Sequence, residues 1–289
     1  MKRESVLFIS KMKPTKLRYA HLIRGSFHLY YEYNGTRRTY IEGSDFEVDY
    51  DQGTVTILSD AVPLYENSNF YQKDPFNHTE YPSYGNYPFM CHADYEFSED
   101  GNKTDDQLAA EISKSSIKLE PFTKPFRYVV FGDSISTGAE ATHADFTYFS
   151  LFTKALEERY GVAVECLQAS VGGNTSTDGL IRMEKDVLSL RPDLTTIAFG
   201  MNDQNRERGK TLHFTEPIQF EANIRQMIHE LQKIGSKIIL VTPCHPNLRW
   251  YYASGDTELY AGVLRKLAQE YRLPIADVTA LWDYVLNTG

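Results

Sequence analysis

The sequence predicts an α/β domain built on a parallel sheet and, ahead of it, an all-β sandwich. From about residue 126 onward, apolar strand-like runs alternate with helical patterns, an order that covers both faces of a parallel sheet with helices. Earlier in the chain, short runs alternate apolar and polar residues between turn signals, as antiparallel strands do. The period changes near Pro121 and Pro125, so we expect one domain at 1–120 and another at 121–289.

The first domain is expected to consist of hairpins. Strand-like runs lie at 27–33, 39–41, 46–50 and 54–58. Asn34-Gly35 separates the first two runs and Asp51-Gln52-Gly53 separates the last two, and both segments are turn signals. Residues 65–88 are rich in Asn, Tyr, Pro and Gly and lack a helical or strand period, so we expect a long ordered loop there.

The second domain is expected to alternate strands and helices. Strands are expected at 127–131, 162–167, 194–199, 237–242 and 274–276. Helices are expected at about 145–159, 177–189, 216–234, 256–271 and 278–286. Each strand-like run is short and bounded by turn residues, whereas each helical pattern repeats its apolar residues with the period of an amphipathic helix.

Composition and charge exclude several classes of function. The formal net charge of −9 opposes binding to a phosphate backbone, which depends on Lys and Arg. The three cysteines are widely spaced, which excludes a disulfide framework and a Cys-x-x-Cys metal or redox motif. The apolar stretch after Met1-Lys2-Arg3 is too short for a secretion signal, and no run approaches the roughly 20 apolar residues of a membrane helix. We therefore expect a cytoplasmic protein without nucleic-acid or membrane partners.

Ser134 is the candidate nucleophile. Gly132-Asp133-Ser134 directly follows the first strand of the second domain and stands where a helix is expected to begin. Ligands of open parallel sheets bind beyond the carboxyl ends of the strands, and the N–H groups at a helix start stabilise developing negative charge. We expect Gly132 to permit the tight turn and Asp133 to hold the loop.

The next two strand ends carry groups that suit an oxyanion hole. Gly172-Gly173-Asn174 follows the second strand, and paired glycines let a backbone N–H approach a substrate oxygen closely. Gly200-Met201-Asn202-Asp203 follows the third strand and places an amide side chain at the same edge. A backbone N–H and an Asn side chain are donors that stabilise a tetrahedral oxyanion. Each motif alone is also common in turns and helix caps, and their order along successive strands is what favours catalysis.

Together these residues resemble the SGNH hydrolases, also called GDSL esterases and lipases. The resemblance covers about 126–289 and includes three of the family's four sequence blocks. It implies a flavodoxin-like, three-layer α/β/α domain, with Ser134 as nucleophile and with Gly173 and Asn202 as oxyanion donors. The Gly-x-Ser-x-Gly elbow of the α/β-hydrolases is absent around Ser134. A jelly-roll-like sandwich ahead of such a domain resembles the arrangement in some carbohydrate esterases.

The family's fourth block, Asp-x-x-His, is absent from this sequence. Asp277 follows the fifth strand, but position 280 is Ala280, and no histidine follows His245. Three explanations stay open. The sequence stops before the block, or another histidine, His143 or His245, has taken the role of the base, or the protein is a ligand-binding relative without catalysis.

The resemblance implies an esterase that removes a small acyl group, with acetyl as the first expectation, from a carbohydrate or another alcohol. Such an enzyme works through a serine acyl-enzyme and needs neither a metal nor another cofactor. Side chains expected around the substrate are Asp133, Asn174, Asp203, His245 and Trp250. A carbohydrate-binding protein without catalysis is the main alternative, because the first half is rich in aromatic residues. A metal-dependent phosphoesterase is disfavoured, because no Asp-x-His follows the first strand.

Overall fold

The computed structural model describes residues 1–33, 35–81, 85–103, 107, 112, 117–139, 141 and 143–288. These residues form two compact units, Met1–Glu111 and Ile112–Thr288. Asn34, from the first predicted turn, lies outside the described residues. The domain boundary near residue 120, which the sequence places by its change of period, stays a prediction.

The N-terminal unit contains two antiparallel sheets. Its strands are β1 (Glu4–Leu7), β2 (Thr15–Lys16), β3 (His28–Tyr33), β4 (Thr36–Thr39), β5 (Phe46–Asp49), β6 (Thr54–Ile57) and β7 (Met90–Asp94). One sheet has the order β1-β7-β3-β4 and the other the order β2-β6-β5. Both predicted hairpins are present, as β3–β4 and β5–β6. The predicted loop at 65–88 includes short 3₁₀ turns at Tyr65–Asn67, His78–Glu80 and Tyr87–Phe89.

The two sheets of this unit enclose one apolar core. Leu29 and Cys91 of the first sheet are buried in the same cluster as Phe46, Val55 and Ile57 of the second. Val55 and Ile57 are two residues apart on β6, so they share the face that points to this core. The arrangement fits the predicted sandwich, while its jelly-roll-like topology stays a prediction.

The C-terminal unit is built on a parallel sheet. Its strands are β8 (Phe126–Gly132), β9 (Val164–Gln168), β10 (Leu194–Ala198), β11 (Lys237–Val241) and β12 (Ile275–Ala276). All of them pair in parallel, in the order β9-β8-β10-β11-β12. This is the strand order of the flavodoxin-like fold, so the predicted fold class is confirmed.

Helices connect these strands at the predicted places. They are α1 (Ser134–Thr137), α2 (Tyr148–Tyr160), α3 (Ser176–Asp186), α4 (Pro217–Lys233), α5 (Thr257–Tyr271) and α6 (Val278–Thr288). A capping box between Thr175 and Asp178 starts α3. Pro217 is the first residue of α4, a position where a helix does not use the N–H that proline lacks. Among the described helices, none combines the length and the apolar composition that crossing a membrane requires.

Helices pack against both faces of the parallel sheet through apolar side chains, which gives this unit three layers. On one face, Phe131 and Ile197 belong to a buried cluster that includes Phe220 of α4 and Leu264 of α5. On the other face, Val130 belongs to a cluster with Leu156 of α2 and Ile239 of β11. Neighbouring residues of β8 therefore serve opposite faces, which is why the strands are continuous apolar runs.

The strand order determines where a site can form. The chain leaves β8 for β9 on one side and later returns to place β10 on the other side. Loops that follow β8 and β10 thus diverge at the carboxyl edge and leave a crevice between them, the position at which open α/β sheets bind ligands. Ser134 and Asn202 follow these two strands.

Substituting Gly179, on the buried face of α3, should destabilise the protein. An added Cβ would overlap with the ring of Phe199, which is buried. Overpacking of this kind costs about 1–3 kcal/mol, so we expect Gly179→Ala to lower the free energy of unfolding measured in urea. The matched control is Gly262→Ala on α5, where a Cβ meets no atom within 4 Å. Its better helix propensity should stabilise the protein by about 0.5–1 kcal/mol. Equal effects of the two substitutions would contradict the packing at Gly179.

Candidate active site

Ser134 is exposed at the first position of α1, directly after β8. The preceding residue, Asp133, caps this helix, because its Oδ1 accepts a hydrogen bond of 3.0 Å from the Ile135 N–H. Gly138 ends the helix in the left-handed region, with φ of 75°. The short turn therefore presents the serine to solvent while its neighbour Asp133 is buried.

Burial changes the acid–base chemistry next to the serine. Loss of solvent, aided by the nearby Asp203 carboxylate, raises the pKa of Asp133 to about 7. Burial, with the charge of Asp133 as a second cause, raises the pKa of Cys244 to about 11. The Cys244 thiol therefore stays protonated at neutral pH.

The loop after β9 lies beside the serine. A Cβ built on Gly172 would lie 3.8 Å from the Ser134 Cβ. The Val171 N–H donates to the Gly132 carbonyl over 3.1 Å, which fixes this loop against the end of β8. Gly173 has φ of 77°, a conformation that other residues adopt only with strain. The predicted oxyanion glycine thus stands in the loop that contacts the predicted nucleophile.

Asn202 reaches the same loop from the end of β10. Its Nδ2 donates a hydrogen bond of 3.0 Å to the Asn174 carbonyl, and its side chain is almost fully buried. An amide nitrogen carries two hydrogens, so this bond leaves one for another acceptor. Contacts therefore connect Ser134, Gly173 and Asn202 through residues 172–174, although their catalytic roles stay predictions.

Asp203 supports the site from behind. Its carboxylate accepts hydrogen bonds from the Ser176 N–H at 2.8 Å, the Ser176 hydroxyl at 2.6 Å and the Gly200 N–H at 3.0 Å. Burial raises the pKa of Asp203, and these bonds oppose that rise. Asp133 and Asp203 are both buried and bonded to backbone groups, so they support the loops of the site, and their predicted contact with the substrate stays a prediction.

His143 and His245, the two histidines that the sequence offers as the base, both stand on loops of this unit. His245 follows β11, and its Nε2 lies 2.8 Å from Oδ1 of Asp283 on α6. His143 is exposed, and its Nδ1 accepts a hydrogen bond of 3.2 Å from the Asp145 N–H. His245 is therefore oriented by a carboxylate, whereas the His143 ring caps a 3₁₀ turn.

Asp277, which follows the fifth strand, is committed to other partners. Its carboxylate accepts two hydrogen bonds from Arg265, of 2.7 and 2.9 Å, and one of 3.2 Å from the Ala280 N–H. Burial alone would raise the pKa of Asp277, but Arg265 and these donors hold it below its usual value. Asp277 thus caps α6 and pairs with an arginine, and it is not placed to orient a histidine.

The loops after β10 and β11 pack against each other at the same edge. Arg206 donates from its backbone N–H to the Tyr252 carbonyl and from Nη2 to the Ser254 carbonyl, both over 3.0 Å. The Tyr252 ring lies 5.7 Å from Phe214 and 5.8 Å from Trp250, measured between centroids. Trp250, predicted as a substrate contact, is therefore part of an aromatic cluster with polar neighbours.

An apolar cavity of about 450 Å³ lies behind α1. Asp133 and Ile135 line one end of it, and Phe152 of α2 and Trp282 of α6 line its sides.

Within the described ranges, no three His, Cys, Asp or Glu side chains lie close enough together to hold a metal ion.

Sequence reasoning missed Arg182 of α3. Its side chain is largely buried and donates hydrogen bonds to the carbonyls of Ala169 and Gly132 and to Oδ1 of Asn174. An arginine on an amphipathic helix is usually solvated, so its identity alone gives no signal. Its position in the second turn of α3, after the Gly172-Gly173-Asn174 loop, is the only feature of the sequence that points to it.

Comparisons with known proteins identify a family for the C-terminal unit. Residues 130–289 match the model of the GDSL-like Lipase/Acylhydrolase family. The acetylxylan esterase of Geobacillus stearothermophilus is 26% identical over 141 residues, which cover 44% of this chain and 60% of that protein. The uncharacterized lipoprotein YqeF of Bacillus subtilis (strain 168) is 31% identical over 172 residues, which cover 55% of this chain and 68% of that protein. The chain thus spans less than two thirds of the acetylxylan esterase.

Solved structures give a similar set of relatives. A catalytic mutant of an acetylxylan esterase from Geobacillus stearothermophilus has a TM-score of 0.49 and 23% identity, covering 59% of this chain and 84% of that one. A lipase/acylhydrolase from Enterococcus faecalis has a TM-score of 0.42 and 29% identity, covering 53% of this chain and 76% of that one.

The raised pKa of Asp133 should make stability depend on pH. Its pKa is about 7 in the folded protein and 3.8 as the ordinary value, so the folded state binds the proton more tightly than the unfolded state does. The free energy of unfolding therefore falls as the pH rises from 3.8 to about 7. Asp133→Asn keeps a capping side chain but cannot ionise. Relative to wild type, we expect its free energy of unfolding to rise by up to about 2.6 kcal/mol between pH 5 and pH 8, measured in urea.

The control for this prediction is Ser134→Ala, which leaves the Asp133 carboxyl in place. Its stability should follow the wild-type pH profile. An Asp133→Asn variant whose difference from wild type is the same at pH 5 and pH 8 would contradict the raised pKa.

Proposed function

The chain belongs to the GDSL-like lipase/acylhydrolase family, and from this membership we propose that it is a serine esterase that cleaves small acyl esters through an acyl-enzyme on Ser134. The observation that carries the proposal is the position of the serine. Ser134 is exposed at a helix start, beside the Gly172-Gly173 loop, to which Asn202 is hydrogen-bonded through Asn174.

Unused hydrogen-bond donors around Ser134 support the proposal. Neither the Ser134 N–H nor the Gly173 N–H donates to another residue that the structure describes. The Asn202 amide has one hydrogen beyond the one given to Asn174. In the proposed reaction these three donors bind the oxyanion that forms when the Ser134 Oγ attacks the ester carbonyl.

Proton transfer completes the reaction. A histidine takes the proton of the Ser134 hydroxyl as the C–O bond forms, and gives it to the leaving alkoxide as the ester C–O bond breaks. A water molecule then attacks the acyl carbonyl and gives a proton to the same base, which passes it to the Ser134 Oγ as the acyl–serine C–O bond breaks and the carboxylic acid leaves. We propose His245 for this role, because Asp283 bonds to Nε2 of its ring and leaves Nδ1 to accept the serine proton.

An acetylated carbohydrate is the proposed substrate. The relative from Geobacillus stearothermophilus is an acetylxylan esterase, and the loops beside the site offer the groups that a sugar requires. Trp250 and Tyr252 supply aromatic rings, and Arg206 and Asp256 supply polar atoms within the same pair of loops.

A carbohydrate-binding protein without catalysis is the second candidate. The bidentate pair between Arg265 and Asp277 favours it, because this pair removes the carboxylate after the fifth strand from any catalytic role. The two candidates differ in one property, since a binding protein forms no covalent bond to Ser134.

Replacing the serine separates these candidates. We expect Ser134→Ala to lower the hydrolysis of p-nitrophenyl acetate by at least about 1,000-fold, and a fluorophosphonate probe to label the wild-type protein but not the variant. Ser136→Ala, which changes a serine of the same turn that bonds to Tyr148, is the matched control and should keep the labelling. Turnover that survives Ser134→Ala would refute the esterase proposal, and glycan binding without labelling would support the binding protein.

The two histidines can be compared directly. We expect His245→Ala to lower kcat by about 100-fold or more, because general-base catalysis contributes roughly 10²–10⁴-fold, and Asp283→Asn to lower it less. His143→Ala removes only the cap of a surface turn and should leave kcat within about twofold. A larger loss for His143→Ala than for His245→Ala in the p-nitrophenyl acetate assay would exclude His245 as the base.

A further inference from the structure

Arg182 connects three segments that meet at the candidate site. Its Nη2 donates over 3.0 Å to the carbonyl of Gly132, two residues before Ser134. Its Nη1 donates to the carbonyl of Ala169, just after β9, and its Nε donates over 2.6 Å to Oδ1 of Asn174. One guanidinium therefore contacts the end of β8, the end of β9 and the loop that contains Gly173.

The surroundings of this guanidinium hold it in one orientation. The side chain is 15% exposed, and its Cζ lies 4.9 Å from the centroid of the buried Phe131 ring. Asp186, one turn further along α3, stands 3.4 Å from Nη1. A largely buried arginine is tolerated when its donors are satisfied, and here the acceptors come mainly from the strand ends.

Asn174 carries this contact onward to Asn202. The side chain of Asn174 accepts from Arg182, while its backbone carbonyl accepts from the Asn202 Nδ2. The second bond fixes the plane of the Asn202 amide, and with it the direction of the remaining N–H. Gly173 directly precedes Asn174, so the same two contacts also restrain the loop that carries its N–H.

We propose that Arg182 is the positioning residue of the oxyanion hole, which it acts on through Asn174. It holds the Gly173 N–H and the Asn202 amide at the end of β8, where Ser134 stands, without touching the substrate. This inference rests on the proposed esterase function, and it adds a residue that lies outside the three matched sequence blocks.

Lysine cannot replace arginine at this position. The guanidinium is a planar fork whose separate nitrogens reach three acceptors on three segments, whereas an ammonium donates from a single point. Arg182→Lys would preserve the charge and most of the length but leave at least one of the Gly132, Ala169 and Asn174 oxygens without its donor. The conservative variant therefore tests the geometry separately from the charge.

The experiment compares Arg182→Lys, Asn174→Ala and the double variant with wild type. The matched control is Arg225→Lys on α4, an arginine that also bonds to several partners, namely Glu221, Glu270 and Tyr271. Hydrolysis of p-nitrophenyl acetate gives kcat and KM, and thermal unfolding gives the folded fraction. NMR exchange of the Asn202 side-chain amide hydrogens with solvent reports the geometry independently of turnover.

A positioning role predicts a kcat about 10- to 100-fold lower in Arg182→Lys and in Asn174→Ala, since complete loss of an oxyanion donor costs about 10²–10³-fold. KM should stay within about threefold of wild type. The kcat of the double variant should be no lower than that of the slower single variant, because both substitutions break the same chain of contacts from Arg182 through Asn174 to Asn202. Faster exchange of the Asn202 amide should accompany the loss, and Arg225→Lys should show neither effect.

Two results would overturn the inference. One is a wild-type kcat together with unchanged Asn202 exchange in both single variants. The other is a loss confined to Arg182→Lys that matches its lower folded fraction, with Asn174→Ala behaving as wild type. Turnover that survives Ser134→Ala refutes the esterase proposal instead, and in that case the Asn202 exchange still decides whether Arg182 sets the position of this amide.

Discussion

The candidate site depends on the placement of β8 between β9 and β10. All parallel strands of the sheet end at one edge, so the loops after these three strands must meet there. Backbone N–H and C=O groups that are buried where these loops meet need hydrogen-bond partners. The Gly132 carbonyl accepts hydrogen bonds from two donors, the Val171 N–H and the Arg182 guanidinium. Hydrogen bonds that satisfy the strand ends are thus the same ones that bring the Gly172-Gly173 loop to Ser134.

Buried carboxylates give this edge its rigidity and set the charge around the nucleophile. Asp133 caps the turn that carries Ser134, and Asp203 joins the start of α3 to the end of β10. Both are buried, so water is largely excluded behind the serine, and this burial raises their pKa values. Electrostatic interactions are stronger in such surroundings than in solvent, so donors directed at a developing oxyanion would act with little screening.

Local sequence patterns predicted the parts of the molecule that local rules determine. The strands and helices of the C-terminal unit follow from hydrophobic period, and the placement of Ser134, Gly173 and Asn202 follows from strand order. By contrast, β1 and β7 pair residues as far apart in sequence as Glu4 and Ala93. Both strands are too short for an alternating pattern of apolar and polar residues to predict them. Arg182 and the pair between Arg265 and Asp277 escaped prediction because a charged side chain on a helix has the same sequence pattern whether it is solvated or buried.

The start of α6 is what places a carboxylate opposite His245. Thr279 donates from its N–H to the Thr242 hydroxyl over 2.9 Å and from its own hydroxyl to the Pro243 carbonyl over 2.6 Å, so the helix start is bound to the loop after β11. Asp283 follows Thr279 by four residues and shares its helix face, and it meets His245 two residues beyond Pro243. The start of α6 therefore lies beside the loop after β11. Asp277 caps this helix, and the helix in turn carries Asp283 to His245. A carboxylate that is paired with an arginine can in this way determine where a second carboxylate meets a histidine.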